Sequence, residues 1–291
     1  MVSKLHGANR PWSGVPPAID GLAIAPCHRG FEGVVSLQRL FRIILGVLAV
    51  TVAAGLTAAL AGYSQRDALG AVVAGCALNK TLSGSTFPCL AIEQGQAASA
   101  YALIRPPGNP TEILLVPTAD VPGIEAPGLL GAGGAHYWQA AWEARSAVAA
   151  ALGRPLERSA VALAVNSKMA RTQDRFHIHV DCLGDSERAA FAEYGRTITA
   201  QWSRFPVQLE KRTFWARTLA GSDLSAANPV ALMLQGLPFA ARDPGAMSLA
   251  IVGATLADGS DGFYLVAEQA LPRRMGTGEA EDLLDHYCGR P

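Results

Sequence analysis

The chain has 291 residues, 50% of them hydrophobic and 16% charged, with a formal net charge of zero. That length and apolar content can bury a sizeable core, and they exclude a disordered chain. The balanced charge excludes broad attraction to nucleic acid or to an anionic membrane surface, so any anion must be bound locally.

Residues 1–42 have no sustained period and several prolines and glycines, and read as an N-terminal tail on the cytoplasmic side. From Ile43 to Tyr63 the chain runs IILGVLAVTVAAGLTAALAGY without a charge. At about 1.5 Å per helical residue this matches a hydrocarbon core of roughly 30 Å, so residues 43–63 are expected to form one N-terminal transmembrane helix, a signal anchor. Arg39 and Arg42 before it, with Arg29, Arg10 and Lys4 behind, place the N-terminus in the cytoplasm and export residues 64–291. A signal peptide cleaved near Ala59-Leu60-Ala61 is the alternative, and it exports the same domain.

Cys27 precedes that segment, whereas Cys76, Cys89, Cys182 and Cys288 follow it, an even number where disulfides persist. The expected pairs are Cys76 with Cys89, around the turn-rich NKTLSGSTFP, and Cys182 with Cys288. No C-x2-C spacing points to zinc.

Strand-like runs follow at 100–105, 112–117, 160–165, 176–182, 248–253 and 262–268. Helical periodicity marks His136 to Leu152, with Trp138 and Trp142 on one face as core residues, and Asp185 to Trp202, with Asp185 as its cap. A third helix is expected from Asn228-Pro229 to Gly236, and a short last one over GEAEDLLDHYC, where His286, like His136 earlier, reads as a helix-end residue. Residues 120–134 carry too many prolines and glycines for a regular element and read as a long functional loop. The pattern predicts one exported α+β domain over 64–291, an antiparallel sheet with packed helices.

Within it, NSKMARTQDRFHIHVDC (166–182) concentrates the chemistry. Strand alternation puts His177, His179 and Asp181 on one open face and Phe176, Ile178 and Val180 on the core face. An H-x-H pair can help hold a metal, or one imidazole can attack an electrophile while its neighbour orients it. Asn166, Ser167, Lys168, Arg171, Thr172, Gln173 and Arg175 are neutral and cationic donors, a set suited to phosphate oxygens and not to a divalent metal.

NSKMARTQDRFHIH, with LLVPT (114–118), GIEAP (123–127), YWQAAWEAR (137–145) and DHYC (285–288), resembles the CDP-diacylglycerol diphosphatase family of the histidine-triad superfamily. The resemblance implies a histidine-triad-like fold behind a membrane anchor in a bacterial inner membrane, single-pass, with the catalytic domain on the periplasmic side. It implies hydrolysis of CDP-diacylglycerol to CMP and phosphatidate, with no cofactor, no metal and no nucleic-acid partner; it leaves room for a homodimer. Carried over, His179 becomes the nucleophile, His177 its orienting neighbour, and Asn166 and Gln173 polar groups around the phosphate. Lys168, Arg171, Thr172 and Asp181 are the expected substrate-binding groups. Asp181 stands where the triad pattern has its third histidine. The 120–134 loop is the expected contact for cytosine. A hydrolase or transferase of soluble nucleotide diphosphates, and a non-catalytic lipid-binding module, are the competing readings.

Overall fold

The computed structural model describes residues 37–95, 99–271 and 277–289, leaving aside the side chains of residues 53–64 and 132–133. Cys27 and the rest of the expected tail before residue 37 lie outside the described residues. The chain divides into two compact units, 1–55 and 56–291.

The expected membrane span is corrected. Helix α1 covers Leu37–Arg66, but among the described residues no helix is long and apolar enough to cross a membrane. The transmembrane reading of 43–63 and the single-pass inner-membrane placement are therefore not supported.

The strands of the second unit are β1 (Ala91–Glu93), β2 (Tyr101–Ile104), β3 (Ile113–Pro117), β4 (Val161–Val165), β5 (Ile178–Leu183), β6 (Ser203–Arg204), β7 (Trp215–Ala220), β8 (Met247–Thr255), β9 (Asp261–Gln269) and β10 (Leu284–Asp285). They form one antiparallel sheet in the order β1-β2-β3-β5-β4-β8-β9-β7-β6, with β10 beside the end of β5. The central strands are buried throughout, which is why ILLVP and VALAV read as unbroken apolar runs. The sheet and its helices are of the mixed α and antiparallel type expected.

Helix α3 (Ala132–Leu152) lies on one sheet face, where Trp138 and Trp142 are buried with Ile113, Leu163, Ile178 and Val180. The opposite face is covered in two patches. Helix α2 (Ala68–Ser83) packs Val73 and Cys76 over Ala102, Leu114 and Val116 at one end. Helix α4 (Asp185–Tyr194) sets Phe191 among Ala162, Ala164 and Val266 at the other. His179 is paired with Leu114 on one side and Ala164 on the other, so it lies in the gap between these patches.

Several expectations shift. Helix α2 was not foreseen, because Gly70 and Gly75 weaken its helical signal and its buried face is narrow. The helix at Asp185 stops at Tyr194, and its cap position is Gly184, with Asp185 instead in the first turn beside Arg188. Helix α5 (Pro229–Gly236) begins as expected, with Asn228 Oδ1 accepting the amide of Ala231; α6 (Pro238–Arg242) follows it. The 120–134 segment is ordered: Ile124 and Leu129 are core, and a short 3₁₀ turn covers Pro127–Leu130. The expected last helix is a 3₁₀ turn at Ala280–Leu283 running into β10.

Disulfides join Cys76 to Cys89 and Cys182 to Cys288. The second closes a separation of 106 residues and locks β10 to the end of β5. On the chain-entropy model such a closure contributes about 4 to 5 kcal/mol. The double variant Cys182→Ser, Cys288→Ser should therefore melt about 10 °C lower or more by calorimetry; a midpoint within 2 °C or so of the parent would show that the bond contributes little.

Candidate active site

His177 and His179 project from the β5 face opposite α3 into a cavity of about 370 Å³. The face is not open, as expected from the sequence, but roofed by α2 and by the segment after residue 277, so both imidazoles are buried. Parity places the rest of the wall. Glu112 shares a face with Leu114 of β3, and Asn166 follows Ala162 and Ala164 of β4 at the same period of two.

His179 Nδ1 is 2.6 Å from Glu112 Oε1. A carboxylate only accepts, so Nδ1 carries a proton and donates it to Glu112. Nε2 is buried and makes no hydrogen bond, though Glu281 Oε2 stands 3.3 Å away. The carboxylate is thus beside the ring nitrogen and not aligned with it.

His177 Nδ1 donates to the Arg175 carbonyl at 2.6 Å, and its ring meets that of His179 at 4.8 Å in a T-shaped contact. Burial, and after it the neighbouring His179, pushes the His177 pKa down to about 4, which keeps it neutral near pH 7.

Asp181, named from the sequence as a substrate group, is fully buried and does not line the cavity. It accepts from Thr111 Oγ1 at 3.1 Å and from His286 Nδ1 at 3.2 Å. His286 Nε2 lies 3.5 Å from Glu281 Oε1, and Glu112 Oε1 lies 3.8 Å from His286 Nδ1. One histidine therefore faces three carboxylates. Burial opposes its charge, but bonds to Asp181 and Glu281 and the charges of Glu112 and Asp181 outweigh that and raise its pKa to about 10.

Burial works to raise Glu281, yet the hydrogen bond from His286, helped by the Asn166 amide, outweighs it and holds Glu281 down at about 2. Asn166 grips it twice, Nδ2 donating to Oε2 at 2.8 Å and Oδ1 accepting its backbone amide at 3.1 Å. Glu112 is likewise kept below its usual range against burial, chiefly by His179 and Asn109. Burial pushes Asp181 up.

The donor loop divides. Thr172 and Gln173 line the cavity, but the Gln173 amide is engaged with Gln65 O and Leu69 N–H. Arg171 is bound to Glu125 and Asp174, and Lys168 is exposed away from the cavity wall. Among the described residues no lysine or arginine lines the cavity, and neither does the 120–134 segment. Sequence reasoning missed Glu112, Glu281 and His286. The first two carried a usable signal, Glu112 its parity with Leu114 and Glu281 its nearness to the quoted DHYC.

An imidazole that lines a cavity and is held through one nitrogen by a carboxylate is a group that can serve as a nucleophile or a general base. A sequence model of the CDP-diacylglycerol pyrophosphatase family matches residues 64–290. The CDP-diacylglycerol pyrophosphatase of Yersinia pestis is 31% identical over 243 residues, covering 83% of this chain and 91% of that protein. The chain belongs to the CDP-diacylglycerol pyrophosphatase family, and is by that membership a hydrolase of a phosphoric anhydride.

Proposed function

We propose that the chain cleaves CDP-diacylglycerol to CMP and phosphatidate through a covalent nucleotidyl-histidine, as the resemblance to histidine-triad enzymes suggests. The observation that carries this is the setting of His179: its ring lines the cavity, Nδ1 is fixed by Glu112, and Nε2 makes no hydrogen bond. Its lone pair forms a bond to the nucleotide phosphorus, the bond to the bridging oxygen breaks, and that oxygen leaves with phosphatidate. The ring becomes cationic with its Nδ1 proton retained, and Glu112 neutralises it. Neutral His177 keeps the His179 ring in place through edge contact.

Much of the cavity lining is apolar, including Leu69 and Val72 of α2 with Ile104, Pro106 and Pro107. This favours a substrate with a lipid end over a soluble dinucleotide. Substrate labelled in the phosphate next to cytidine should, after acid-free quenching, leave an acid-labile, base-stable phosphoramidate that peptide mapping assigns to His179.

A second reading draws on the same groups. Glu112, His179 and Glu281 each offer one ligand atom, all within 4.8 Å of one another, so they could hold a divalent cation. The covalent reading expects activity to survive EDTA; loss with chelator and return with a divalent metal would favour the cation instead.

A further inference from the structure

We propose that Glu281 is the base that makes this enzyme a hydrolase: it activates the water that removes the nucleotide from His179. The inference rests on the nucleotidyl-histidine reading above and concerns its second step, which nothing in the first requires.

The geometry assigns the role in three ways. Glu281 Oε2 lies 3.3 Å from His179 Nε2, the atom that carries the phosphorus in the intermediate, yet has no hydrogen bond with it. A group off the nitrogen's axis leaves that axis to phosphorus while staying near a water on the phosphorus itself. Second, Glu281 lines the cavity, as Asp181 does not, and Glu112 is already committed to Nδ1. It is the carboxylate close to the reacting nitrogen without a duty in the attack. Third, it is held from both ends, by Asn166 through Oε2 and the backbone and by His286 through Oε1. A base so anchored keeps its position when the first leaving group departs.

In the step itself, a water oxygen forms a bond to phosphorus as the P–N bond breaks. The P–N electron pair returns to Nε2, which regains its neutral lone pair. The water proton passes to a Glu281 oxygen and from there to solvent, and CMP leaves with the remaining hydroxyl on phosphorus. The water becomes strongly acidic as its bond to phosphorus forms, so an ionised carboxylate can accept its proton although it is a weak base toward free water. An acceptor alcohol in place of water would give nucleotidyl transfer, so the placement of this carboxylate bears on which outcome dominates.

The test separates the two steps in time. With substrate labelled in the phosphate next to cytidine, Glu281→Gln should release about one equivalent of phosphatidate per enzyme in a rapid-quench burst. It should then stall with label on the protein, its steady-state rate down about 100-fold. The burst counts folded, competent sites, so an unfolded variant cannot mimic the result. Glu281→Ala should behave likewise, with its second step restored by added formate. Turnover of Glu281→Gln at the wild-type rate without labelled enzyme would overturn the role. So would equal slowing of phosphatidate and CMP release in both variants without formate rescue. If wild type and both variants release products while no enzyme form ever carries label, the covalent reading fails and takes this inference with it.

Discussion

Replacing His179 with alanine is expected to reduce turnover of CDP-diacylglycerol by about 10⁴-fold or more, with the fold retained. No neighbour can supply the lost nitrogen: His177 donates through Nδ1 to the Arg175 carbonyl, and His286 spends both ring nitrogens on carboxylates. His177→Ala should cost less, about 10²-fold, because misorienting a nucleophile is milder than deleting it. Steady-state rates of both purified variants, with their melting midpoints, decide the matter. A His179→Ala enzyme within tenfold of wild type would remove this residue from the chemistry.

The second large effect is expected at His286. Removing one partner of a buried charge cluster typically costs about 3 to 5 kcal/mol, and here the loss would leave Asp181, Glu281 and Glu112 facing one another without a cation. The pH dependence has a definite sign. The folded pKa, about 10, lies above the ordinary 6.5, so the stabilisation is complete below 6.5 and is lost as pH rises through 10. Wild-type protein should therefore lose thermal stability between pH 7 and 10. His286→Gln should start lower at pH 7 and change much less over that interval. Parallel melting curves for the two proteins would show that His286 is not the cation of the cluster.

Much of the central sheet could be read from the chain, because the strands that build it are unbroken apolar runs or keep a strict alternation. ILLVP and VALAV are strands within a residue of where the pattern put them, and FHIHVDC delivers its histidines to one face. What could not be read is what the fold brings onto that face. Glu281 reaches His179, and His286 reaches Glu112 and Asp181, through the segment that pairs β10 with the end of β5, a contact between residues about a hundred apart. Half-buried β7 escaped notice because WARTLA mixes charge and apolar side chains without alternation. The donor loop misled in the opposite direction: Arg171 suits a phosphate by type, but Glu125 and Asp174 already hold it. Local composition shows what a side chain can bind, and tertiary contacts determine which of those partners it meets.

The attachment of β10 has a dynamic consequence. His179 stands on a strand flanked by β3 and β4, and its amides should exchange with solvent only when the whole sheet opens. Glu281 stands on a single 3₁₀ turn leading into a two-residue strand, fastened by the Cys182–Cys288 bond. The strand that carries His179 is thus expected to belong to the most slowly opening unit of the protein. The turn that carries Glu281 is held by one two-residue strand and one covalent tether, so its amides are expected to stay protected while the Cys182–Cys288 bond is intact and to exchange ahead of those of β5 once that bond is reduced.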